Sequence, residues 1–411
     1  MHQQSCFFIK RQEKEIWRCK LGGIYEGKRV LEISDEKGMY CGKLLTMVGM
    51  EVIKIEPEEG DPQRLWGPFA GHIEDKERGL FWIYYNTGKK SVTLDIYSDE
   101  GKEIVKKLAS EADVLIETLD PGEMAKLGLG YEDIKAVNPK IVYCSITTFG
   151  QHGPYVNWNA SSEIIPYALA GNMNENGRPG FNYAPLSMGR NFTYNASGLY
   201  SAVAILAYVR RAVATGEGAY LDTAAIEVAG LWRNEDIANP QRFPYTPERK
   251  KLGSATPFPP GGMFKCKDGS VFIVGMSQWK SLSEWMKESG MDIGEFDDEK
   301  YKIAHNTNPD VCAHADELNA LVAELCEKYT KDELYKGGLK WHVPVVPMFS
   351  PEDVYTDEHY NERGFFVRVN HPVAGECNYP GAPARLTETP LKVDQAAPLL
   401  GSSNEEILGN M

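Results

Sequence analysis

Residues 86–155 read NTGKKSVTLDIYSDEGKEIVKKLASEADVLIETLDPGEMAKLGLGYEDIKAVNPKIVYCSITTFGQHGPY, and this stretch decides the fold. Its apolar runs SVTLDI, DVLIE and KIVYCSI alternate with polar segments that favour helices. Ser98 is placed to cap the first of these helices, with Glu100 in its first turn, and Pro121 is placed to open the second. Strands that alternate with helices in this way predict a doubly wound parallel sheet, an α/β fold.

The alternation continues on both sides of this stretch. Upstream, RVLEI, GMYCGKLLTMVG and EVIKI predict a β-α-β unit of the parallel type, and downstream a helix is predicted over residues 197–215, before the strand-like AYLDTAAI. Sheets of this kind bind ligands at the carboxyl ends of their strands. The places to search are therefore the loops after Ile33, Ile55, Glu117 and Ile146.

The chain has 411 residues, more than one hydrophobic core usually serves, so we expect two domains. Pro-rich connectors appear near Trp232, and Asp268-Gly269 marks a hairpin turn beyond them. We predict an N-terminal extension and a smaller α+β domain inserted into a large Rossmann-like domain. The predicted bounds are 1–27 for the extension, 28–231 and 341–411 for the large domain, and 232–340 for the small one.

Composition excludes several classes of function. The formal net charge of −14 argues against a nucleic-acid partner, because phosphate neutralisation requires a basic surface. The eight cysteines form no CxxC pair, which indicates neither a zinc site nor a redox motif. The longest apolar stretch, residues 198–209, is too short to cross a bilayer, and the N-terminus does not resemble a signal peptide. We expect a cytoplasmic protein with no metal, nicotinamide or membrane partner.

Several residues could hold an anionic ligand. Lys89 and Lys90 lie in a turn at the start of a strand, Lys126 follows a helix start by about one turn, and Arg64 lies in an irregular loop. A solvated surface position is the alternative for each cation. The loop after Ile146 offers Thr147 and Phe149 to a ligand. The pair Gly261-Gly262 indicates either a close approach of the backbone to a ligand or a tight turn.

Long segments in one order closely resemble the class III CoA-transferase (CaiB/BaiF) family, from about residue 27 to residue 409. The segments that carry the resemblance are EGKRVLEIS, EVIKIEPEEGD, NTGKKSVTLD, ADVLIETLDPGEMAKLGLGYEDI, NPKIVYCSITTFGQHGP, SGLYSAVAILAYVRRAVATGEGAYLD, ERGFFVRVNHPVAGECNYPGAPARLTETP and APLLG. The resemblance implies a large domain built from both chain ends, an inserted small domain, subunits interlocked as a dimer, and CoA or acyl-CoA as substrate at the domain boundary.

The family pattern also implies contacts to CoA. Carried over to this chain, they fall near Gly38, Leu94, Thr118, Leu119, Lys126 and Thr147, with a glycine loop near Gly261 and Gly262. The chain departs from the pattern at several of these places. Asp35 and Glu36 lie in the first loop and would repel CoA phosphates, Thr118-Leu119 replaces a common Asn-Phe pair, and Tyr97 stands where the family often has Lys.

The family mechanism implies an Asp whose carboxylate attacks the acyl-CoA thioester, which divides one acyl transfer into easier covalent steps. No Asp occurs from Ile134 to Leu221. The resemblance places Tyr194 in the nucleophile's position, or Asn191 or Asn195 if the alignment shifts. A phenol with an ordinary pKa of about 10 is mostly protonated at neutral pH, and an amide is no nucleophile. Glu163 and Glu175 are nearby acids, but neither falls in the slot.

We therefore predict a CoA-transferase subunit without the nucleophile, as the resemblance to benzylsuccinate CoA-transferases implies. It would work with an Asp-bearing sister chain and move CoA between an acyl-CoA, such as succinyl-CoA, and a small organic acid. One alternative is an acyl-CoA racemase or isomerase on the same fold, although the expected acid–base partners are absent. Another is a homodimeric CoA-binding protein without turnover.

Overall fold

A computed structural model describes residues 23–174, 176–177, 184–232, 260–274, 278–302 and 309–409. Most of the predicted N-terminal extension, residues 1–22, lies outside the described residues. The chain divides into two compact units. The first comprises Met1–Asn172, Ser187–Ala238 and Glu358–Met411, and the second comprises Met173–Leu186 and Asn239–Asp357. The predicted domain bounds differ from these and stay a prediction.

The first unit is built on a six-stranded sheet in the order β3-β2-β1-β4-β5-β6, and all of its strands are parallel. The strands are β1 (Arg29–Ile33), β2 (Glu51–Glu56), β3 (Lys90–Thr93), β4 (Val114–Glu117), β5 (Val142–Thr147) and β6 (Ala219–Ala224). The order runs outward from β1 in both directions, as in Rossmann-like sheets. The α/β fold class is therefore confirmed.

Helices cover both faces of this sheet. They are α1 (Met39–Met47), α2 (Leu80–Tyr85), α3 (Asp99–Ser110), α4 (Glu123–Lys126), α5 (Tyr131–Val137), α6 (Ile164–Leu169), α7 (Phe192–Thr215) and α8 (Ala225–Leu231). One core joins Leu31 and Leu115 of the strands to Leu108 of α3. A second core, on the alternate strand positions, joins Val30 to Ile205 of α7. The central strands β1, β4 and β5 are buried on both faces, as expected for a parallel sheet covered by helices on each side.

Two predicted elements have different bounds in the structure. Strand β3 ends at Thr93 rather than at Ile96, because Asp95 begins the turn in which the hydroxyl of Ser98 caps α3. Helix α7 begins at Phe192, five residues before the predicted start. The backbone N–H of Thr193 in its first turn donates to the carboxylate of Glu163, which belongs to another segment. The sequence next to α7 does not show this contact.

The remaining strands and α-helices of the first unit come from the C-terminal segment. Strands β10 (Phe366–His371) and β11 (Gly375–Pro380) form an antiparallel pair, and the helices are α14 (Glu358–Glu362) and α15 (Asn404–Leu408). Asn404 donates a side-chain hydrogen bond to Thr93 Oγ1 at 2.7 Å, which ties α15 to the end of β3. Both chain ends thus build one unit.

The second unit has an antiparallel sheet in the order β7-β8-β9. Its strands are β7 (Gly261–Cys266), β8 (Gly269–Val274) and β9 (Val345–Met348), and its helices are α9 (Trp279–Glu288), α10 (Pro309–Ala313), α11 (Ala315–Glu327), α12 (Lys331–Trp341) and α13 (Pro351–Thr356). Val271, Leu282, Leu325 and Leu334 are buried together in its separate core.

Among the residues described in the two units, no helix has both the length and the apolar composition needed to cross a bilayer.

Candidate functional site

A cleft of about 740 Å³ opens at the carboxyl edge of the parallel sheet. The loops that follow β1, β2, β3 and β4 form its walls, because the last residues of parallel strands meet at one edge. Leu94, Thr118 and Leu119, three of the predicted CoA contacts, line this cleft. The structure therefore brings together residues that are separated by more than twenty positions in the chain.

Acidic side chains dominate the cleft wall. The six acids that line it are Asp35, Glu56, Glu58, Glu59, Asp61 and Asp95, and no Lys or Arg among the residues that the structure describes lines it. Three of these acids have a cation behind them: Lys37 pairs with Asp35, Arg64 with Glu56 and Lys54 with Asp61. Burial raises the pKa of Asp61, and the charge of Lys54 opposes that rise.

The loop between β1 and α1 is fastened to the end of β4. Thr118 Oγ1 accepts a hydrogen bond from the backbone N–H of Asp35 and donates one to Asp35 Oδ1, both at 2.9 Å. A Cβ at Gly38 would lie 2.7 Å from Ser34 Cβ and 2.9 Å from Thr118 Cγ2, closer than side chains tolerate. The predicted contact positions Gly38 and Thr118 thus lie side by side because the loop closes tightly there.

Arg64 is fully buried and braces the loop after β2. Its guanidinium donates two hydrogen bonds to Glu56, at 2.7 and 2.9 Å, and one to Glu77 at 2.9 Å. It also lies over the ring of Trp82, with its central carbon 4.0 Å from the ring centre. Burial alone would raise the pKa of Glu56, but hydrogen bonds and charge from Arg64 hold it below its ordinary value. The guanidinium of Arg64, which the sequence suggested as a contact to an anionic ligand, is therefore bonded to Glu56 and Glu77 instead.

Lys89 and Lys90 lie at the start of β3, which is the amino edge of the sheet and opposite to the cleft. Buried Lys89 donates to Glu32 at 2.8 Å and to Asn86 at 3.0 Å, and burial lowers its pKa to about 8. Lys90 pairs with Glu51 at 2.6 Å and with a glutamate of α15 at 2.5 Å. The structure does not bring these two lysines to the cleft.

The other predicted contacts have varied surroundings. Lys126, on α4, has an exposed ammonium 3.2 Å from Glu123, and it does not line the cleft. Thr147 Oγ1 accepts the backbone N–H of Gly150 at 2.9 Å, which shapes the loop after β5. Phe149, in that loop, lies 6.0 Å from Tyr155 between ring centres.

The pair Gly261-Gly262 opens β7 in the second unit, where both residues are buried. The backbone N–H of Gly261 donates to Asn319 Oδ1 at 3.0 Å.

The position assigned to the nucleophile lies in the first turn of α7. Tyr194 is buried, and its hydroxyl lies 3.3 Å from Thr148 Oγ1. Burial raises the pKa of the Tyr194 phenol above its ordinary value, and the hydrogen bond from Thr148 and the charge of Lys37 oppose this rise without cancelling it. A group with these surroundings stays protonated and cannot attack a thioester at neutral pH.

Asn191, a second candidate for that position, is the N-cap residue of α7 and adopts a left-handed backbone with φ of 66°. Its side-chain amide donates to the carbonyl of Glu36 at 3.2 Å, which joins the start of α7 to the loop after β1. Tyr194 and Asn191 therefore have structural partners, whereas Asn195, the third candidate, has a buried side-chain oxygen without a hydrogen-bond partner among the described residues. None of the three is a carboxylate.

Glu163 supplies a carboxylate next to the slot. It accepts the backbone N–H groups of Asn191 and Thr193, the latter at 2.8 Å, so it caps α7 from a different segment. Burial raises its pKa, although these N–H donors oppose the rise. Sequence reasoning identified Glu163 as a nearby acid, but its capping role depends on a contact across about thirty residues.

Glu117 and Lys37 form a further part of the site that the sequence did not single out. Glu117 ends β4, is buried, and accepts the backbone N–H of Leu119 at 2.8 Å. Burial raises the pKa of Glu117 to about 7, and hydrogen bonds from Ser145 and Leu119 limit the rise. The positive charge of Lys37 also opposes the rise in the pKa of both Glu117 and Tyr194. The only signal in the sequence was a charged residue at the end of a strand.

Comparison with known proteins gives a consistent result. The model of CoA-transferase family III matches residues 25–404. A succinate–glutarate CoA-transferase of Agrobacterium fabrum is 32% identical over 399 residues, covering 94% of this chain and 95% of the relative. Subunit BbsE of succinyl-CoA:(R)-benzylsuccinate CoA-transferase from Thauera aromatica is 29% identical over 408 residues, with 94% of each chain covered. A CAIB/BAIF family protein from Brucella suis superposes with a TM-score of 0.82 at 29% identity, covering 95% of this chain and 100% of that one.

Proposed function

The chain belongs to CoA-transferase family III, and from that premise we propose that it is the subunit without the nucleophile in a heteromeric enzyme. Its sister chain would carry the catalytic Asp. The observation that carries this proposal is Tyr194, a buried phenol with a raised pKa at the position that the resemblance assigns to the nucleophile. The name of the relative BbsE, a CoA-transferase subunit, supports a heteromeric arrangement.

The chemistry explains why a carboxylate is required. A carboxylate that attacks a thioester forms a mixed anhydride and releases CoA thiolate, which can attack the anhydride in turn. A phenol or an amide cannot form that anhydride. The sister chain would therefore form every covalent intermediate, and this chain would supply part of the scaffold and of the acid-binding wall. We propose Leu94, Thr118, Leu119 and the loop at Thr147 as its contacts to the substrate.

We propose succinyl-CoA as the donor and a dicarboxylic acid as the acceptor. One of the relatives described above is named for succinate and glutarate and another for succinyl-CoA and (R)-benzylsuccinate, which supports this choice.

Glu163 is the reason to consider an autonomous enzyme as a second candidate. Its carboxylate lies beside the slot and could replace the missing Asp. Against this, backbone N–H groups of α7 hold both of its oxygens, and such donors together with the helix dipole stabilise the carboxylate and make it less nucleophilic.

The test compares the purified chain with the reconstituted pair. CoA exchange from succinyl-CoA to glutarate or benzylsuccinate is measured for this chain alone, for an Asp-bearing sister chain alone, and for the mixture. We expect activity only in the mixture, and an acyl adduct by mass spectrometry only on the sister chain. The control is a sister chain with its Asp replaced by Asn, which should abolish turnover.

Turnover by this chain alone would contradict the proposal. In that case an acyl adduct on Glu163, detected by mass spectrometry and lost together with turnover in Glu163→Gln, would identify Glu163 as the nucleophile. Incorporation of deuterium at the α-carbon of an acyl-CoA without CoA exchange would instead indicate a racemase or isomerase.

A further inference from the structure

A second cavity, of about 760 Å³, lies in the C-terminal segment of the first unit. The described residues that line it fall between residues 359 and 393, in α14, at the start of β10 and in the segment that follows β11. None of them also lines the cleft at the carboxyl edge of the parallel sheet. Pockets for small molecules measure roughly 300–1,000 Å³, so this cavity has the size of a separate binding site.

The wall of this cavity is largely apolar. Phe365, Val367 and Leu391 are half-buried in it, and Leu386 is 37% exposed. Apolar side chains that remain accessible inside a concave surface lose contact with water when the hydrocarbon part of a ligand covers them. The wall therefore suits a ligand with an apolar body.

The structure holds this wall in place without a ligand. The hairpin of β10 and β11 is anchored behind it, because Val369 and Tyr379 are buried together with Trp82. The backbone N–H of Gly381 donates to the carbonyl of Phe365 at 2.7 Å, which closes the open end of the hairpin. A ligand would therefore lose little free energy to the ordering of the site.

Two arginines line the same cavity. Arg363 and Arg385 are exposed, and neither guanidinium has an ion-pair or hydrogen-bond partner in the part of the chain that the structure describes. Glu362 is the one acid among the described lining residues. This excess of positive charge occurs in a chain with a formal net charge of −14. A guanidinium matches the geometry of a carboxylate and binds it with two parallel hydrogen bonds.

We propose that this cavity binds an organic acid that combines a carboxylate with an apolar body. Arg363 and Arg385 would hold the carboxylate, and the apolar wall around Phe365 and Leu386 would cover the hydrocarbon part. Because the lining residues do not belong to the cleft, the acid is a ligand of this chain whether or not the chain takes part in CoA transfer.

The first measurement compares three probes by isothermal titration calorimetry on the isolated full chain. Benzylsuccinate carries two carboxylates and an aromatic ring, its diamide lacks the charge, and succinate lacks the ring. We expect benzylsuccinate to bind about tenfold or more tightly than either of the other two. Raising the salt concentration from about 0.05 to 0.5 M should weaken its binding about threefold, because salt screens the attraction. Equal binding of the diamide, or no binding of benzylsuccinate, overturns the proposal.

The second measurement locates the bound acid. The double variant Arg363→Gln, Arg385→Gln should weaken benzylsuccinate binding about tenfold or more, and Leu386→Asn should weaken it about threefold. The matched control is Arg368→Gln on β10, whose exposed side chain pairs with Glu376 at 3.5 Å and does not line the cavity. It should change the affinity less than about twofold. Because these side chains are exposed, each variant should keep the melting temperature of the parent chain.

Two outcomes of the variants would overturn the proposal. Unchanged affinity in the double variant would mean that benzylsuccinate binds elsewhere, for example in the cleft. A lower oligomeric state of the unliganded double variant in sedimentation velocity, without a loss of benzylsuccinate affinity, would mean that a second copy of the chain covers the cavity instead. Neither outcome affects the proposed function, which fails only if the isolated chain transfers CoA.

Discussion

Arg64 has the surroundings of a structural cation. Replacing it with Met would leave Glu56 buried with neither guanidinium nor solvent. Removing one partner of a buried ion pair costs about 3–5 kcal/mol. We expect Arg64→Met to lower the free energy of unfolding in urea by that amount.

The exposed pair Arg211–Glu217, 3.0 Å apart, provides the matched control for Arg64. Because solvent screens such a pair, Arg211→Met should cost about 0–1 kcal/mol. A loss for Arg64→Met no larger than that of the control would contradict the structural role and favour a cation that is free to bind ligand.

Glu117 should make stability depend on pH. Burial raises its pKa to about 7 from an ordinary value of 4.5, so the folded chain holds this proton more tightly than the unfolded chain does. The stabilisation is fully present below about pH 4.5 and is lost as pH rises through 7. The shift corresponds to about 3 kcal/mol as an order of magnitude.

The variant Glu117→Gln isolates this effect, since an amide does not titrate. In urea unfolding, its stability relative to the parent chain should improve by about 1–3 kcal/mol between pH 5 and pH 8. Glu132→Gln, on the exposed surface of α5, serves as control and should show no such change. If the difference in stability between Glu117→Gln and the parent chain is the same at pH 5 and pH 8, Glu117 does not bind a proton more tightly in the folded chain.

The slot tyrosine should be dispensable for chemistry but not for packing. Tyr194→Phe removes only the contact with Thr148, worth about 0.5–1.5 kcal/mol, and should leave the kcat of the reconstituted pair unchanged. Tyr194→Ala opens a cavity in a buried site and should cost about 3–5 kcal/mol. A large loss of kcat for Tyr194→Phe, with stability retained, would assign the phenol a catalytic role.

At the scale of the element, the start of α7 depends on Glu163. Glu163→Ala leaves the N–H groups of Asn191 and Thr193 without this acceptor and should destabilise the helix start by about 1–2 kcal/mol. Hydrogen exchange should accelerate over residues 191–196 and stay unchanged near the C-terminus of α7. Glu227→Ala, in the first turn of α8, is the control and should not change hydrogen exchange over residues 191–196. If Glu163→Ala accelerates exchange equally along the whole of α7, or not at all, Glu163 is not a local cap.

The bounds of the strands could be predicted from the sequence, but the start of the longest helix of the first unit, α7, could not. Apolar runs of RVLEI, EVIKI and DVLIE identified β1, β2 and β4 to within a residue, because buried parallel strands need continuous hydrophobic sequence. The start of α7 was predicted five residues late, because the carboxylate that caps it belongs to Glu163, which lies at the start of α6. Local sequence carries no record of such a partner.

At the scale of the whole molecule, the two units have separate cores, so thermal unfolding should not be a single two-state transition. Leu325→Ala, in the core of the second unit, should lower one calorimetric transition, and Leu108→Ala, in the core of the first, should lower the other. Each substitution should cost about 2–5 kcal/mol. One transition that both variants shift equally would contradict independent units.

The sequence by itself determined the parallel α/β sheet, the family, and the absence of Asp from residue 134 to residue 221, because strand patterns and long family segments are local properties of the chain. The tertiary structure decided which charges are available. It holds Arg64 and Lys89 in buried pairs, makes Glu163 a helix cap, and gathers six acids around one cleft from the carboxyl ends of β1, β2 and β3 and the loops that follow them. The physical reason is that burial and pairing depend on residues far apart in the chain, and these set whether a cation can reach a ligand.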